Sequence, residues 1–213
     1  MVVRHYLNGG NYPIGTSRKI AETTVEYLES MGGKLYVNAD VDEIIIRRGK
    51  AVGVQLASGE EILAPLIISS AGVMNTYGRF LRNDESAQQF SNQIKTVSPT
   101  ESYICLYIGL NQSASDLKLG NTNLWIYPSY DHDLNTSTYM NNENAPFPVT
   151  YISFASSKDP LWDDEHPNTA TLEAIVPTNF SNFNKWEKKP WKGRGDDYEK
   201  YKEQFSQRII KEI

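Results

Sequence analysis

The stretch from Gly9 to Gly72 constrains the fold most, because its apolar residues change period once, at a pair of glycines. Before the change, Ile20, Ala21, Thr24, Leu28 and Met31 recur at helical spacing. Thr16 or Ser17 offers a capping hydroxyl at the start of that helix, and Gly32-Gly33 supplies a left-handed stop at its end. After the change, Lys34 to Gly72 reads as a short strand, a hairpin pair and two further strands. Arg48-Gly49-Lys50 and Ser58-Gly59-Glu60 are its tight turns. Ile44 and Ile46 alternate against Val52, Val54 and Leu56 as in a sheet with one buried face, whereas Leu66-Ile67-Ile68-Ser69 is apolar throughout, as a strand covered on both faces would be.

Beyond Gly72 the pattern predicts helix over most of Met74 to Val97, punctuated by Ser98-Pro99-Thr100. Strands are expected at Tyr103 to Leu110, Leu124 to Tyr127, Val149 to Ala155 and Thr169 to Pro177. The Asn-rich run Asn135 to Asn144 reads as a surface loop. Asp196 to Ile213 reads as an amphipathic helix with Tyr198, Tyr201, Phe205 and Ile209 on one face. It meets no glycine, proline or other terminator, so the expectation is a chain that is an internal piece of something longer.

Composition narrows the function classes. A net charge of -5 lacks the basic footprint of a nucleic-acid binder. The longest apolar tract, Ile104 to Leu110, is strand-sized and far short of the roughly 20 residues that cross a bilayer. One cysteine and three scattered histidines, His5, His132 and His166, give no metal-ligand spacing, so no metal is expected. Cys105, inside SYICLYIGL, is expected to pack in the core as a small hydrophobe. Asp163, Asp164 and Glu165, taken with Asp159, read as exposed turn charges. The run Lys185 to Arg194 interleaves bases with Trp186 and Trp191, a pattern that stacks on single strands or sits at a membrane surface, but whose simplest reading is a solvated loop with tryptophans packed on the domain.

The strand-like run that ends in Ser70, Ala71 and Gly72 carries the clearest chemical hint. Small residues at a strand's carboxyl end let another backbone or a ligand approach closely, and ligands of open α/β sheets sit at those ends. On the residues alone, a cofactor contact and a tight strand-to-helix turn both remain open.

From Gly9 to Gly72 the sequence resembles, contiguously and in order, the central block of phytoene desaturase and all-trans-retinol 13,14-reductase relatives. The shared pieces are Tyr12-Pro13-Ile14-Gly15, Gly32-Gly33, Val41 to Ile44, Gly49 to Val54, Gly59 to Ile62 and Ala64 to Gly72. Thr16 departs from the pattern, which usually has a second glycine there. Ser102 to Leu110, Phe154 to Pro160 and Thr169 to Val176 continue the likeness more loosely.

The resemblance implies an α/β fold with α+β mixing. A partial FAD/NAD(P)-binding-fold sheet with a β-hairpin would occupy residues 1–77, and a mixed-sheet substrate domain flanked by helices residues 78–213. It implies FAD as the parent's cofactor and an apolar polyene, a carotenoid or retinoid, as substrate. Val41, Ser70, Ala71 and Gly72 would contribute backbone contacts to the flavin nucleotide. Tyr12 and Gly15 would lie near the substrate channel, with Tyr103, Tyr107, Trp125, Tyr127 and Tyr151 lining it. No single catalytic side chain is assigned. A cytoplasmic location, with peripheral membrane contact as the variant, goes with such a protein. A non-catalytic escort for lipids or prenylated proteins and an amine-oxidase-like flavoenzyme are the alternatives. The G-x-G-x-x-G fingerprint that holds a pyrophosphate is absent from the sequence. The chain alone should therefore not retain FAD: after mixing and desalting, its visible spectrum should be flavin-free, and a stoichiometric flavin band would contradict this.

Overall fold

The computed structural model describes residues 7, 9–97, 100–190 and 192–213. The readings placed on His5, Ser98-Pro99 and Trp191 lie outside the described residues. The chain divides into two compact units, Leu28–Thr100 and a second made of Met1–Tyr27 with Glu101–Ile213. Helices and two sheets alternate along it, in the expected mixed α/β class.

The first helix, α1 (Arg18–Ser30), stops where the glycines predict. Gly32, at φ 82°, donates to the Glu29 carbonyl at 2.9 Å while Gly33 donates to that of Leu28 at 2.9 Å. These are the paired bonds of a Schellman stop, which needs a left-handed residue at its first position. The apolar stripe of α1 gains no cover: none of its residues is buried.

In the Leu28–Thr100 unit, β1 (Val41–Arg47), β2 (Lys50–Leu56) and β3 (Glu61–Leu63) form an antiparallel meander in that order. Arg48 and Gly49 both have positive φ, 52° and 72°, the backbone a two-residue hairpin turn requires. Ile44 and Ile45 are its buried apolar side chains. Two expected strands do not form. Lys34 to Val37 and Leu66 to Ser69 run without ladder pairing, and Leu66 and Ile68 are 72% and 85% exposed. A strand covered on both faces exists only where a neighbour supplies its hydrogen bonds, and among the described residues the sheet ends at β3. A π-helical turn, Met74–Phe80, and α2 (Glu85–Ile94), capped by Asp84 accepting from the Ala87 amide at 3.0 Å, fill the expected helical stretch.

The second unit is built on four antiparallel strands ordered β4-β7-β6-β5: β4 (Ser102–Leu110), β7 (Ala170–Thr178), β6 (Thr150–Ser153) and β5 (Leu124–Ile126). Their even-numbered residues face one way. Ile152, Ala174 and Val176 meet Tyr139, Phe147 and, from α5 (Asp196–Glu212), Phe205 and Ile209 in one buried cluster. The helix is thus amphipathic as its spacing predicts.

Two expectations here are corrected. The Asn-rich run is not a loop but most of a helix, α3 (His132–Asn141). The Asp131 carboxylate caps it, accepting from the Leu134 amide at 2.9 Å, and Tyr139 anchors it in the core. Its short polar side chains bond the preceding turn, Ser137 Oγ to the Leu134 carbonyl at 3.1 Å and Asn141 Nδ2 to that of Ser137 at 2.9 Å, so they do not unravel it. Cys105 is exposed rather than buried, because β4 is an edge strand and its odd-numbered face lies opposite the core.

Tyr201 on α5 donates to Glu143 Oε2 at 2.6 Å. Burial first, and that bond to a carboxylate second, push its phenol well above the ordinary range. A raised folded-state pKa gives stability that is full below the unfolded phenol's pKa, about 10, and is lost as pH rises through the folded value. Stability should therefore fall above pH about 10 in urea titrations. Tyr201→Phe should remove part of that fall, and an unchanged alkaline slope in the variant would refute the assignment.

Candidate functional site

The odd-numbered face of the four-stranded sheet carries most of the expected substrate residues. Register sets them in rows. Cys105, Ile175, Tyr151 and Trp125 are successive partners across the four strands; Tyr107, Glu173 and Ser153 make the next row, and Tyr103 stands opposite Pro177. The Trp125 and Tyr151 rings pack at 4.7 Å between centroids. Tyr103, Tyr107 and Trp125 are largely exposed, so this face is an open aromatic surface rather than a second core. Tyr107's phenol is raised above its ordinary range by the neighbouring Cys105 first and by desolvation second. Tyr127, just past β5, turns its ring edge to His132 at 4.5 Å and shares a groove of about 220 Å³ with Tyr103 and Pro177.

The glycine-rich loop reaches this face as well. Asp159 Oδ1 accepts from the Gly15 amide at 3.2 Å and from the Leu161 amide at 3.1 Å. Asp159 is only 6% exposed, so it does not belong with the solvated charges of Asp163, Asp164 and Glu165, which do lie exposed on the one-turn helix α4 (Trp162–Glu165). Gly15 and Thr16 both take left-handed backbone, φ 84° and 65°. For a β-branched residue that conformation is strained, which gives a physical reason why glycine suits the Thr16 position.

One residue the sequence did not single out borders this face. Lys158 closes the 3-10 turn Ser156–Lys158 after β6. Its Nζ donates to Ser153 Oγ at 2.7 Å and Asn123 Oδ1 at 2.5 Å and lies 5.9 Å from the Tyr12 ring centroid. Burial lowers its pKa, and Glu173 partly counters that. Burial raises Tyr12's phenol, helped by the charges of Asp159 and Glu173. The only sequence signal for Lys158 was its place in Ser156-Ser157-Lys158-Asp159-Pro160; nothing local tells a site lysine from a solvated one.

In the other unit, Ser70 and Gly72 line a groove of about 530 Å³ floored by Ile44, Ile46 and Ile67, with Thr76 and Tyr77 at its side. Gly72 has φ 86°, and its carbonyl accepts from the Thr76 amide at 3.0 Å and hydroxyl at 2.9 Å. The Ala71 carbonyl accepts from Asn75 Nδ2 at 2.9 Å. Val41 is not among the groove's lining residues, and its carbonyl accepts from Arg79 at 3.3 Å. The structure thus brings Ser70 and Gly72 together and leaves Val41 apart.

Trp186 of the basic-aromatic run is 1% exposed, with Nε1 donating to Asp197 Oδ2 at 2.8 Å and Lys185 Nζ 4.0 Å over its ring. That ring is not free to stack on a base or enter a membrane. Among the described residues no helix is long and apolar enough to cross a membrane, and no group of His, Cys, Asp and Glu could hold a metal ion.

No protein-family profile matches the chain. Curated relatives do. An all-trans-retinol 13,14-reductase of Rattus norvegicus is 35% identical over 96% of this chain and 35% of its own length. That of Homo sapiens is 33% identical over 96% of the chain and 35% of its length. A chloroplastic prolycopene isomerase of Daucus carota is 29% identical over 99% of the chain and 31% of its length. Over nearly its whole length the chain is thus similar to all-trans-retinol 13,14-reductases and, at lower identity, to a prolycopene isomerase. It spans about a third of the length of the curated relatives it matches.

If Asp159 is what holds the Tyr12–Gly15 loop, Asp159→Ala should speed tryptic cleavage after Arg18 and Lys19 about tenfold, the effect of losing about 1.4 kcal/mol locally. Equal cleavage rates in variant and wild type would show that something else holds the loop.

Proposed function

We propose that this chain is part of an FAD-dependent oxidoreductase acting on an apolar polyene of the carotenoid or retinoid kind, by hydride transfer with the flavin. The observation that carries the reading is the open aromatic face. Three of the four strands place Tyr103, Tyr107, Tyr151 and Trp125 on one side, opposite a core that is already complete. Exposed aromatic side chains on a rigid sheet are what a long, flat, apolar ligand needs, and contiguous exposed apolar surface of this kind marks a binding site. The names of the relatives, a retinol reductase and a prolycopene isomerase, support a polyene as that ligand.

The flavin's share of this chain is small. The groove lined by Ser70 and Gly72 offers hydroxyls along an apolar floor, which suits the adenine end of a dinucleotide. Ser70 and Gly72 would hold it there, and Ala71, between them in the chain but not among the lining residues, would contribute through its backbone. With the Val41 carbonyl already accepting from Arg79, a Val41 contact to adenine would be made alongside that guanidinium. When bound, the flavin supplies hydride acceptance or donation. The residues of this chain orient the polyene and exclude water from it.

In the full-length protein, anaerobic mixing with a polyene should change the flavin absorbance, and mixing with amines should not. Trp125→Ala and Tyr151→Ala should each weaken polyene binding about tenfold, as loss of a buried aromatic contact does, with flavin content unchanged. A response to amines alone would favour the amine-oxidase reading. Binding of lipid with no spectral change would favour an escort.

A further inference from the structure

Resting on the polyene reading above, we infer that Lys158 is the polar anchor of the aromatic face, holding the oxygen at one end of an otherwise apolar ligand. The argument starts from what surrounds the ammonium. Its two hydrogen-bond acceptors, Asn123 Oδ1 and Ser153 Oγ, are neutral. Among the described residues no carboxylate comes within ion-pair distance of Nζ, although Glu173 stands beside Ser153 in the sheet and Asp159 is the next residue along the chain. Asp159 is committed elsewhere, to the Gly15 and Leu161 amides.

An ammonium has three donors. Two are taken by oxygen dipoles, and the Tyr12 ring at 5.9 Å bounds the charge on another side with an apolar face. A partly desolvated cation whose direct contacts are neutral dipoles, with Glu173 acting only from beyond ion-pair distance, still favours a further acceptor strongly. Ser153, one of its two partners, is a buried outer-face residue of the strand that carries Tyr151. The surroundings are therefore a single charged donor set into an aromatic surface, the arrangement that fixes one end of an elongated ligand while the rest packs on rings. The matching ligand is a polyene ending in a hydroxyl, in preference to a pure hydrocarbon.

The test uses the full-length protein and two probes, all-trans-retinol and its deoxy hydrocarbon analogue, titrated by quenching of tryptophan fluorescence. Wild type should bind retinol about ten to a hundredfold more tightly than the hydrocarbon, the range expected for a hydrogen bond to a charged group. K158M, close to lysine in shape but without a donor, should erase that preference, and the uncharged K158Q should remove most of it, both leaving hydrocarbon affinity within about twofold; K158R should keep part of it. Retention of the preference in K158M and K158Q, or equal loss of both probes, would overturn the assignment. Wild type that binds both probes equally sinks the anchor but keeps the polyene reading; wild type that binds neither sinks both.

Discussion

The packing of Ala174 and Val176 beneath α5 is the constraint on which the second unit rests. Both are fully buried, and they lie in the middle of β7, the strand that pairs with β4 along its whole length and with β6 on its other side. The small Ala174 side chain leaves room for Phe205 and Ile209 from the helix, so the even-numbered residues form a dense cluster. Side chains alternate across a strand, so burying the even set commits the odd set to the other face. No separate device is needed to expose Tyr103, Tyr107 and Trp125. Their exposure follows from a core that is complete on one side of a single sheet.

That dependence also explains what could be read from the sequence and what could not. The stop of α1 and the Arg48-Gly49 turn were legible because their chemistry is local: a left-handed backbone and a few bonds to neighbouring residues. The hairpin and all four strands of the second sheet were legible from alternation and β-branched content. Lys34 to Val37 and Leu66 to Ser69 were read as strands on the same grounds, yet they stay unpaired. A sequence can state a preference for extended backbone, but it cannot supply the neighbour that completes the ladder. Cys105 failed for a related reason: an apolar run looks alike in a central strand and at an edge. The Asn-rich helix was missed because propensity argued against it, while one cap at Asp131 and one buried ring at Tyr139 decided for it. On the aromatic face, the rings were legible by type and by lying on strands, whereas Lys158 and the burial of Asp159 were not, since both depend on contacts made far along the chain.

The pair Lys158 and Asp159 shows how the same loop can serve structure and ligand at once. Opposite charges adjacent in sequence would ordinarily be expected to neutralise one another. Here the acid turns to two backbone amides, one of them 144 residues away in sequence at Gly15, and so fastens the glycine-rich loop to the sheet. Two amide donors meet that carboxylate oxygen, so the acid is satisfied without the lysine. The consequence is a cation left with only neutral acceptors at the head of an aromatic surface. Burying such a charge is unfavourable, and a fold selected for stability alone would do better with a hydrophobic side chain of similar size. The loop that the acid holds brings Tyr12 over that lysine, so the interaction that organises the local backbone also helps to desolvate a positive charge at the site. Loop anchoring and ligand anchoring are thus coupled through two consecutive side chains, which makes the Ser156 to Pro160 segment the point where a change in fold stability would be felt first as a change in ligand preference.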